Sequence, residues 1–386
     1  MRGMDVVYLD NNATTRPAPE VVQAMLPYLQ DCWGNPSSVH FFGQRARKAV
    51  EDARASVAKL IGCTEAELNF TGSGTEGVNT ALRGILAARS PRKRIITSTV
   101  EHSATRQLCA QLHKEGAEIV TIRVDGQGMP DLDALSKALD EDVALVSMLW
   151  VNNETGVIFP VDQIGTLCRN VRVPFHTDAT QAVGKIPVEV CDVAVDAMSF
   201  AAHKFHGPKG VGGLYIRRGV RMRPLHIGGP QEHGRRGGTE NVPGIVGMGK
   251  AAELAREFLP RMPRVAAQRD RLQGEILQRI AGTSVNGSMT HRVSNTTNIS
   301  FARLEAEAIL LLLSERGICA SAGAACSSGS LEPSHVLLAM GIDPKIAHGA
   351  VRFSLSRYTT EAEIDRALEV LPAAIEKLRQ VLPVGV

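Results

Sequence analysis

Short runs of apolar residues alternate with longer amphipathic segments in the N-terminal part of the chain. Apolar runs with the length of a β-strand occur at 67–70, 94–98, 117–124, 143–150, 174–177, 195–200 and 213–216. Helical patterns over 78–88 and 102–115 follow the first two of these runs. Strands that are separated by helices typically form a parallel sheet with helices on both faces. The pattern therefore predicts an α/β domain in three layers, with a mostly parallel sheet.

The pattern changes near residue 242. A long helical stretch at 247–280 contains Pro260 and Pro263, which we expect to kink it. Further strands are predicted at 298–301, 317–320 and 351–355, and further helices at 304–314 and 360–381. This order of elements is typical of a smaller α+β domain. We therefore expect a large domain over 16–257 and a small domain formed by 1–15 and 258–386.

Composition excludes several classes of function. The net charge is only +3 and aromatic residues make up 4%, so neither a basic surface nor base-stacking side chains indicate nucleic-acid binding. The N-terminal residues lack the apolar core of a signal peptide. The longest aliphatic run, 308–313, is far too short to span a bilayer. We therefore expect a cytoplasmic protein that does not bind membranes.

The seven cysteines are expected to be free thiols in that compartment. They form no C-x-x-C pair, and their spacing does not predict a metal site. Cys63, Cys109 and Cys168 lie in helical or strand patterns and are expected to pack in the core. Cys326 differs, because it lies among alanine, serine and glycine in a predicted loop at 321–334. Such a sequence favours a movable thiol over a packed one.

Three candidate ligand-binding features follow predicted strands, where ligands bind in an open parallel sheet. The first is TGSGTEG at 71–77, whose glycines precede a helix whose N-terminus can bind an anion. The second is Asp178 and the third is Lys204. Each has a simpler interpretation by itself: a glycine turn, a helix N-cap and a solvated surface lysine, respectively.

Together the three features favour pyridoxal phosphate chemistry. A lysine forms a Schiff base with this cofactor, an aspartate pairs with its pyridinium nitrogen, and a helix N-terminus holds its phosphate. Lys204 has to be neutral to act as a nucleophile, and burial near other cations lowers the pKa of a lysine.

The order of motifs resembles that of the cysteine desulfurases of the NifS/IscS family along almost the whole chain. The matching segments are YLDNNATT (8–15), GNPSSVH (34–40), VNNETG (151–156), HTDATQAVGK (176–185), HKFHGPKG (203–210), GTENVPG (238–244), CSSGSLEPSH (326–335) and VRFSLSRYTT (351–360). The resemblance implies an aspartate-aminotransferase-like fold, in which the large domain binds pyridoxal 5'-phosphate. It also implies a homodimer, and the small domain would contain the loop with the catalytic cysteine.

The resemblance implies a role for each matching residue. Lys204 would form the Schiff base, Asp178 would face the pyridinium nitrogen, and Gln181 would bond the phenolic oxygen. His102 would stack on the ring and move protons. The phosphate would be held by Gly74 and Thr75 at the helix N-terminus, by His203, and by Thr239 from the other subunit. Asn153 would contact the cofactor and the substrate, and Asn35 and Arg352 would position the substrate, with Arg352 binding its carboxylate.

The same resemblance gives Cys326 a function. Its thiolate would attack the sulfur of L-cysteine, leaving a persulfide on the enzyme and releasing L-alanine. The acceptor of that sulfur would be an iron–sulfur scaffold or another acceptor protein. The HGPKG and RRGGTEN segments are more similar to the nitrogen-fixation type, which would supply nitrogenase.

Two alternatives remain open at this point. One is a different pyridoxal phosphate enzyme, such as a selenocysteine lyase or an aminotransferase, which the Cys326 loop disfavours. The other is a sulfur carrier or scaffold without enzymatic activity, which would need the thiol of Cys326 but not Lys204, Asp178 or Gln181.

Overall fold

A computed structural model describes residues 6–322 and 332–381. Cys326, the predicted catalytic thiol, therefore lies outside the described residues. The described part contains twelve α-helices and twelve β-strands. No helix within it is both long and apolar enough to cross a membrane.

A seven-stranded sheet forms the centre of the larger part of the fold. Its strands are β2 (Leu68–Thr71), β3 (Arg94–Ser98), β4 (Glu118–Ile122), β5 (Val143–Leu149), β6 (Phe175–Asp178), β7 (Ala197–Ala201) and β8 (Gly212–Ile216), in the order β2-β8-β7-β6-β5-β3-β4. Strands β7, β6, β5, β3 and β4 run parallel to one another, whereas β8 runs antiparallel to both β7 and β2. The predicted mostly parallel sheet is confirmed.

Helices cover both faces of this sheet. They are α1 (Pro19–Gln30), α2 (Phe41–Ile61), α3 (Gly74–Ala88), α4 (Ser103–Lys114), α5 (Leu132–Ala138), α6 (Val161–Asn170) and α7 (Val242–Phe258). Successive strand residues point to opposite faces, so Ile95 packs in the cluster under α3 and α4 while Ile96 packs in the cluster with α1, α2 and α7. The three predicted layers result from this alternation.

A second group of elements is built largely around its own apolar cluster. Its helices are α8 (Met262–Arg279), α9 (Ala306–Glu315) and α12 (Glu361–Val381), whereas α10 (His335–Ala339) and α11 (Pro344–Ala347) pack against the cluster of the large sheet. Its strands are β1 (Val7–Tyr8), β9 (Thr283–Val285), β10 (Thr296–Phe301), β11 (Ile318–Cys319) and β12 (Ala350–Ser354). Strands β12, β10 and β9 form an antiparallel sheet, and β1 pairs with β11 in parallel. The predicted domain boundaries stay a prediction.

The predicted break in the long helical stretch is confirmed. A 3-10 turn over Leu259–Arg261 separates α7 from α8, with Pro260 inside the turn and Pro263 in the first turn of α8. In contrast, α1, α2, α5, α6, α10 and α11 lie outside the predicted elements. The inward positions of α2 are largely alanine, including Ala46, Ala49 and Ala53, which gives a weak apolar signal.

A buried ion pair connects α2 to the segment that precedes α7. Arg54 donates from its two terminal nitrogens to the two carboxylate oxygens of Glu232, both at 2.8 Å, and both side chains are buried. Glu232 also accepts from the backbone N–H of Phe70 on β2 at 2.7 Å. This bidentate pair therefore fixes three separate parts of the chain.

Breaking this pair should be costly. Glu232→Gln leaves buried Arg54 with the half-exposed Glu51 as its remaining carboxylate partner, so we expect the free energy of unfolding to fall by about 3 kcal/mol. Asp52→Asn is the matched control, because it breaks the exposed Lys48–Asp52 pair on the same helix and should cost less than about 1 kcal/mol. Urea unfolding at one fixed protein concentration measures both. Equal decreases in the free energy of unfolding for the two variants would show that the buried pair stabilises the fold no more than the exposed pair does.

Candidate active site

A cavity of about 370 Å³ opens where the carboxyl ends of β5, β6 and β7 meet the N-terminus of α3. This is where an open parallel sheet binds its ligands. The residues that form its polar lining come from several distant segments: Asn12, Ser73, Gly74, Thr75, His102, Asn153, Asp178, Thr180, Gln181, His203, Lys204 and Arg352.

The structure brings together nine of the residues that the sequence singles out. They are Gly74, Thr75, His102, Asn153, Asp178, Gln181, His203, Lys204 and Arg352. Asn35 and Thr239 do not line this cavity. Asn35 lies in an exposed turn, where its side chain accepts from the backbone N–H of Ser37, and Thr239 is exposed and borders a different cavity.

The N-terminus of α3 forms an anion-binding corner of the cavity. Ser73 caps the helix by accepting from the backbone N–H of Glu76. A Cβ atom added at Gly74 would lie 3.0 Å from Oγ1 of Thr180 and 3.6 Å from Cβ of Ala201. Glycine therefore keeps the backbone close to these two residues, and the first N–H groups of the helix remain available to an anion.

Asp178 and Lys204 follow adjacent strands. Asp178 is the last residue of β6, is buried, and accepts at Oδ1 from the backbone N–H of Thr180 at 2.9 Å. Lys204 lies in a 3-10 turn after β7 and donates from Nζ to the backbone carbonyls of Asn12 (2.6 Å) and Ala13 (2.8 Å). Because β6 and β7 are parallel, both side chains reach the same edge of the sheet.

His203 lines the same side of the cavity as Lys204. His203 contacts Oγ1 of Thr14 through Nδ1 at 3.1 Å, and burial together with the nearby Lys204 and Lys209 lowers its pKa to about 4. His203 is therefore neutral near pH 7, and it reaches the cavity as a hydrogen-bonding group without charge.

Arg352 enters the cavity from the small antiparallel sheet. It lies on β12 and is only 1% exposed. Its guanidinium donates to the backbone carbonyl of Asn153 at 2.9 Å and to Oδ1 of Asp10 at 2.7 Å. Hydrogen bonds at both terminal nitrogens thus fix the plane of the guanidinium. A guanidinium fixed in this way can bind a carboxylate in one orientation.

His102 and Glu101 are adjacent in sequence but differ in environment. His102 caps α4, since its Nδ1 accepts from the backbone N–H of Ala104 at 3.2 Å. Glu101 is buried, and burial raises its pKa to about 8 although Ser98 and the N–H of Leu149 donate to its Oε1. Glu101 thus keeps its proton at neutral pH, in contrast to an exposed carboxyl.

Both described ends of the segment that contains Cys326 are anchored at this cavity. Before it, Ser321 exchanges two backbone hydrogen bonds with Arg352, at 2.7 and 3.2 Å. After it, Ser334 donates to the buried carboxylate of Glu154, and Nε2 of His335 contacts the carbonyl of Glu101 at 3.1 Å. The chain that contains the thiol therefore leaves and re-enters the fold beside the predicted catalytic groups.

Four polar residues that line the cavity or bond to its lining were not predicted from the sequence. Asn12, Ser73 and Thr180 line the cavity, and Lys185 bonds to two residues that do. Asn12, Thr180 and Lys185 lie within motifs that carry the family resemblance, and Ser73 lies in the glycine-rich turn. Their positions within these segments could have marked them as candidate site residues. A contact between residues 12 and 185, however, leaves no pattern in the sequence.

Comparisons with known proteins extend over the whole chain. A profile of the family described as "Aminotransferase class-V" matches residues 7–367. A protein of Trichormus variabilis named "Cysteine desulfurase 2" is 54% identical, covering 98% of this chain and 96% of its own length. One of Azotobacter vinelandii, named "Cysteine desulfurase NifS", is 50% identical, covering 98% and 94%. A solved structure titled "NIFS-LIKE PROTEIN" superimposes with a TM-score of 0.92 at 39% identity, covering 97% of this chain and 100% of its own.

The raised pKa of Glu101 predicts a pH dependence of stability. Between about pH 4.5 and pH 8 the folded protein holds a proton that the unfolded chain releases, so the contribution of Glu101 to stability falls as the pH rises. Glu101→Gln should remove a slope of about 1.4 kcal/mol per pH unit across this range. Thermal unfolding measured from pH 5 to pH 8 tests this, with the exposed Glu20→Gln as control. Parallel pH profiles for wild type and Glu101→Gln would show that Glu101 ionises normally.

Proposed function

Because the chain belongs to the class-V aminotransferase family, we propose that it is a cysteine desulfurase that converts L-cysteine to L-alanine and passes the sulfur to Cys326. The observation that supports this most directly is that Lys204, Asp178 and the N-terminus of α3 line one cavity, while the segment with Cys326 is anchored at its rim. A carrier or scaffold without enzymatic activity would not need Lys204, Asp178 or an anion-binding helix N-terminus.

The family implies pyridoxal phosphate as the cofactor, and the residues of the cavity fit it. Ser73, Gly74 and Thr75 line the cavity at the N-terminus of α3, where backbone N–H groups can hold a phosphate, and a carboxylate and a lysine lie at the edge of the sheet. When bound, the cofactor supplies an electron sink for charge that develops at the substrate Cα. Gly74, Thr75 and His203 would hold the phosphate, and Asp178 would pair with the ring nitrogen.

Lys204 is the nucleophilic amine in this proposal. Its two bonds to the carbonyls of Asn12 and Ala13 place Nζ at the cavity wall. Once the substrate is bound, the same amine can accept the Cα proton and return it elsewhere on the substrate. Gln181 would donate to the phenolic oxygen of the cofactor.

Arg352 and Asn153 would hold the substrate. Arg352 is buried at the side of the cavity formed by the small sheet, where a bidentate bond to the carboxylate of L-cysteine orients the thiol toward the rim. The contact predicted for Asn35 stays a prediction, because in this chain Asn35 lies outside the cavity.

The sulfur transfer itself needs a thiolate and a proton acceptor. The thiolate of Cys326 attacks the substrate sulfur, an S–S bond forms, and the C–S bond breaks with its electron pair moving toward the substrate Cβ. Protonation of that carbon completes alanine. His102 at the N-terminus of α4 is the group that would accept the thiol proton.

A homodimer would complete the phosphate site. Thr239, which the family resemblance places on the phosphate of the other subunit, is exposed and does not reach the cavity of its own chain. Large apolar side chains are exposed on the same molecule, including Ile227 (89%) and Phe41 (79%). Exposed apolar groups of this size are typical of a surface that another protein covers. We assign that role to a second copy of this chain.

The persulfide on Cys326 would be delivered to an iron–sulfur scaffold or another sulfur acceptor. Iron–sulfur cluster assembly, including that of nitrogenase, is the use that the sequence resemblance implies. A cytoplasmic location fits this chemistry, because a reducing compartment keeps the catalytic thiol free.

Cys326→Ala should separate cofactor binding from sulfur transfer. The variant keeps Lys204, Asp178 and Arg352, so we expect it to retain the visible absorption band of the bound cofactor and to respond spectrally to L-cysteine. It should carry no persulfide and release no sulfide above background. Sulfide assays and mass spectrometry of the intact protein measure these outcomes.

Lys204→Ala is the companion variant. It should lose both the cofactor band and sulfide release, because its amine forms the covalent bond to the cofactor. Wild-type sulfide release by Cys326→Ala would identify another thiol as the nucleophile. A cofactor–lysine adduct trapped by borohydride in Lys204→Ala would refute the role of Lys204.

Ala201 occupies a position where the family usually has a serine whose hydroxyl binds the phosphate. Its Cβ lies near Gly74, and the hydroxyl of the neighbouring Ser199 is already bonded to Nε2 of His176 at 3.1 Å. A hydrogen bond to a charged group contributes about 1.5–3 kcal/mol, so Ala201→Ser should slow cofactor loss about tenfold or more. Dissociation is followed after hydroxylamine breaks the bond to Lys204. Ala104→Ser, on another wall of the cavity, is the control; equal dissociation of wild type and Ala201→Ser would mean the added hydroxyl has no effect.

A further inference from the structure

Lys185 is a buried lysine that the chemistry described above does not use. It is 6% exposed and lies in the turn that follows β6. Helix-like backbone bonds, such as that from the N–H of Lys185 to the carbonyl of Ala182, place it four residues after Gln181 on the same face. Its Nζ donates to Oε1 of Gln181 and, at 2.8 Å, to Oδ1 of Asn12.

Asn12 has its hydrogen-bonding groups occupied. Its side-chain nitrogen donates to the carbonyl of Asn153 (3.1 Å) and to Oγ1 of Thr296 (2.9 Å), so the other side-chain atom that faces Lys185 has to be the oxygen. Its backbone carbonyl accepts from Nε2 of Gln181 (2.9 Å) and from Lys204 (2.6 Å). Asn12 therefore cannot rotate to suit another partner without losing bonds in a buried site.

These contacts determine which way the amide of Gln181 points. Lys185 donates to this amide, so the atom that faces it is Oε1. The backbone carbonyl of Asn12 only accepts, so the atom that faces it is Nε2. Gln181 lines the cavity, and its Nε2 has a second N–H beyond the one used by Asn12. The amide is therefore fixed as a donor toward the ligand.

The charge state of Lys185 is compatible with this role. Burial, together with Lys204 and Arg352, lowers the pKa of Lys185 well below its ordinary value. Lys185 in turn lowers the pKa values of two basic groups, His203 and His206. Arg357, which lines a small cavity together with Lys185, is also basic. Whether charged or neutral, the amine keeps at least two N–H groups, which match the two acceptors on Asn12 and Gln181.

We propose that Lys185 is a positioning residue that fixes the amide of Gln181 so that its N–H, and not its carbonyl, faces the phenolic oxygen of the cofactor. This inference depends on the proposed function, because it concerns the same cofactor. Without Lys185 the amide keeps its bond to the carbonyl of Asn12 but loses the donor that holds Oε1, so its second N–H is no longer held toward the phenolic oxygen.

The test is the pH midpoint of the visible absorption change of the resting, cofactor-loaded protein. A hydrogen bond to the phenolic oxygen favours the deprotonated form, which has the greater negative charge, so its loss raises the midpoint. We expect Lys185→Met to raise the midpoint by about one pH unit or more. Lys185→Gln, which retains an N–H donor without charge, should remain near wild type. Lys209→Met, which removes an exposed lysine near His203, should also leave the midpoint unchanged.

Two results would overturn the inference. An unchanged midpoint in Lys185→Met would show that the amide is fixed without Lys185. Equal shifts in Lys185→Met and Lys185→Gln would show that the charge of Lys185, and not its donation, is what matters. If Lys185→Met does not fold, Lys185→Ala replaces it and is expected to shift in the same direction. In a Gln181→Ala background, Lys185→Met should cause no additional shift.

The same measurement separates this inference from the proposed function. A wild-type protein without any visible cofactor band would refute the proposed function. A normal band whose midpoint does not respond to Lys185→Met refutes only the role of Lys185.

Discussion

The burial of Asn12 is the constraint on which the arrangement of the active site depends. Its carbonyl accepts from Gln181 and Lys204, and its side chain bonds with Asn153, Lys185, Thr296 and Asn295. These partners come from four separate segments of the chain, and each would lose a bond in a buried environment if Asn12 moved. Since unsatisfied buried polar groups are costly, the N-terminal segment and the cavity wall can only be ordered together.

The electrostatics of the cavity follow from the same packing. Lys204, Arg352 and Lys185 lie close together, and burial and mutual repulsion lower the pKa of Lys185, as they also do for His203 near Lys204. A site with this excess of basic groups favours anionic ligands, and the cofactor phosphate and the substrate carboxylate are both anions. Neutral His203 can still donate or accept a hydrogen bond, and Lys185 keeps N–H donors whether or not it is charged.

The two groups of elements meet through both apolar and polar contacts, and Val336, Leu337 and Ala347 pack in the core of the large sheet. Arg352 on the small sheet bonds to Asn153 beside the large sheet, and Ser321 is bonded in turn to Arg352. The arginine proposed to bind the substrate and the anchor of the Cys326 segment therefore share one strand.

The sequence by itself determined the strands of the central sheet, the break at Pro260 and the identity of the groups at the sheet edge. These features have local causes: apolar periodicity, the missing N–H of proline, and glycine before a helix. The sequence did not reveal α2, because several of its buried positions, such as Ala46, Ala49 and Ala53, are small residues that give a weak apolar periodicity. Nor did it reveal α1, in which the buried residue is Val21. Nor did it assign roles to Asn12 and Lys185, since a hydrogen bond between residues 173 positions apart leaves no periodic signal. Only the tertiary structure decided which donors and acceptors meet, because each polar group buried on folding takes the partner that packing places within reach.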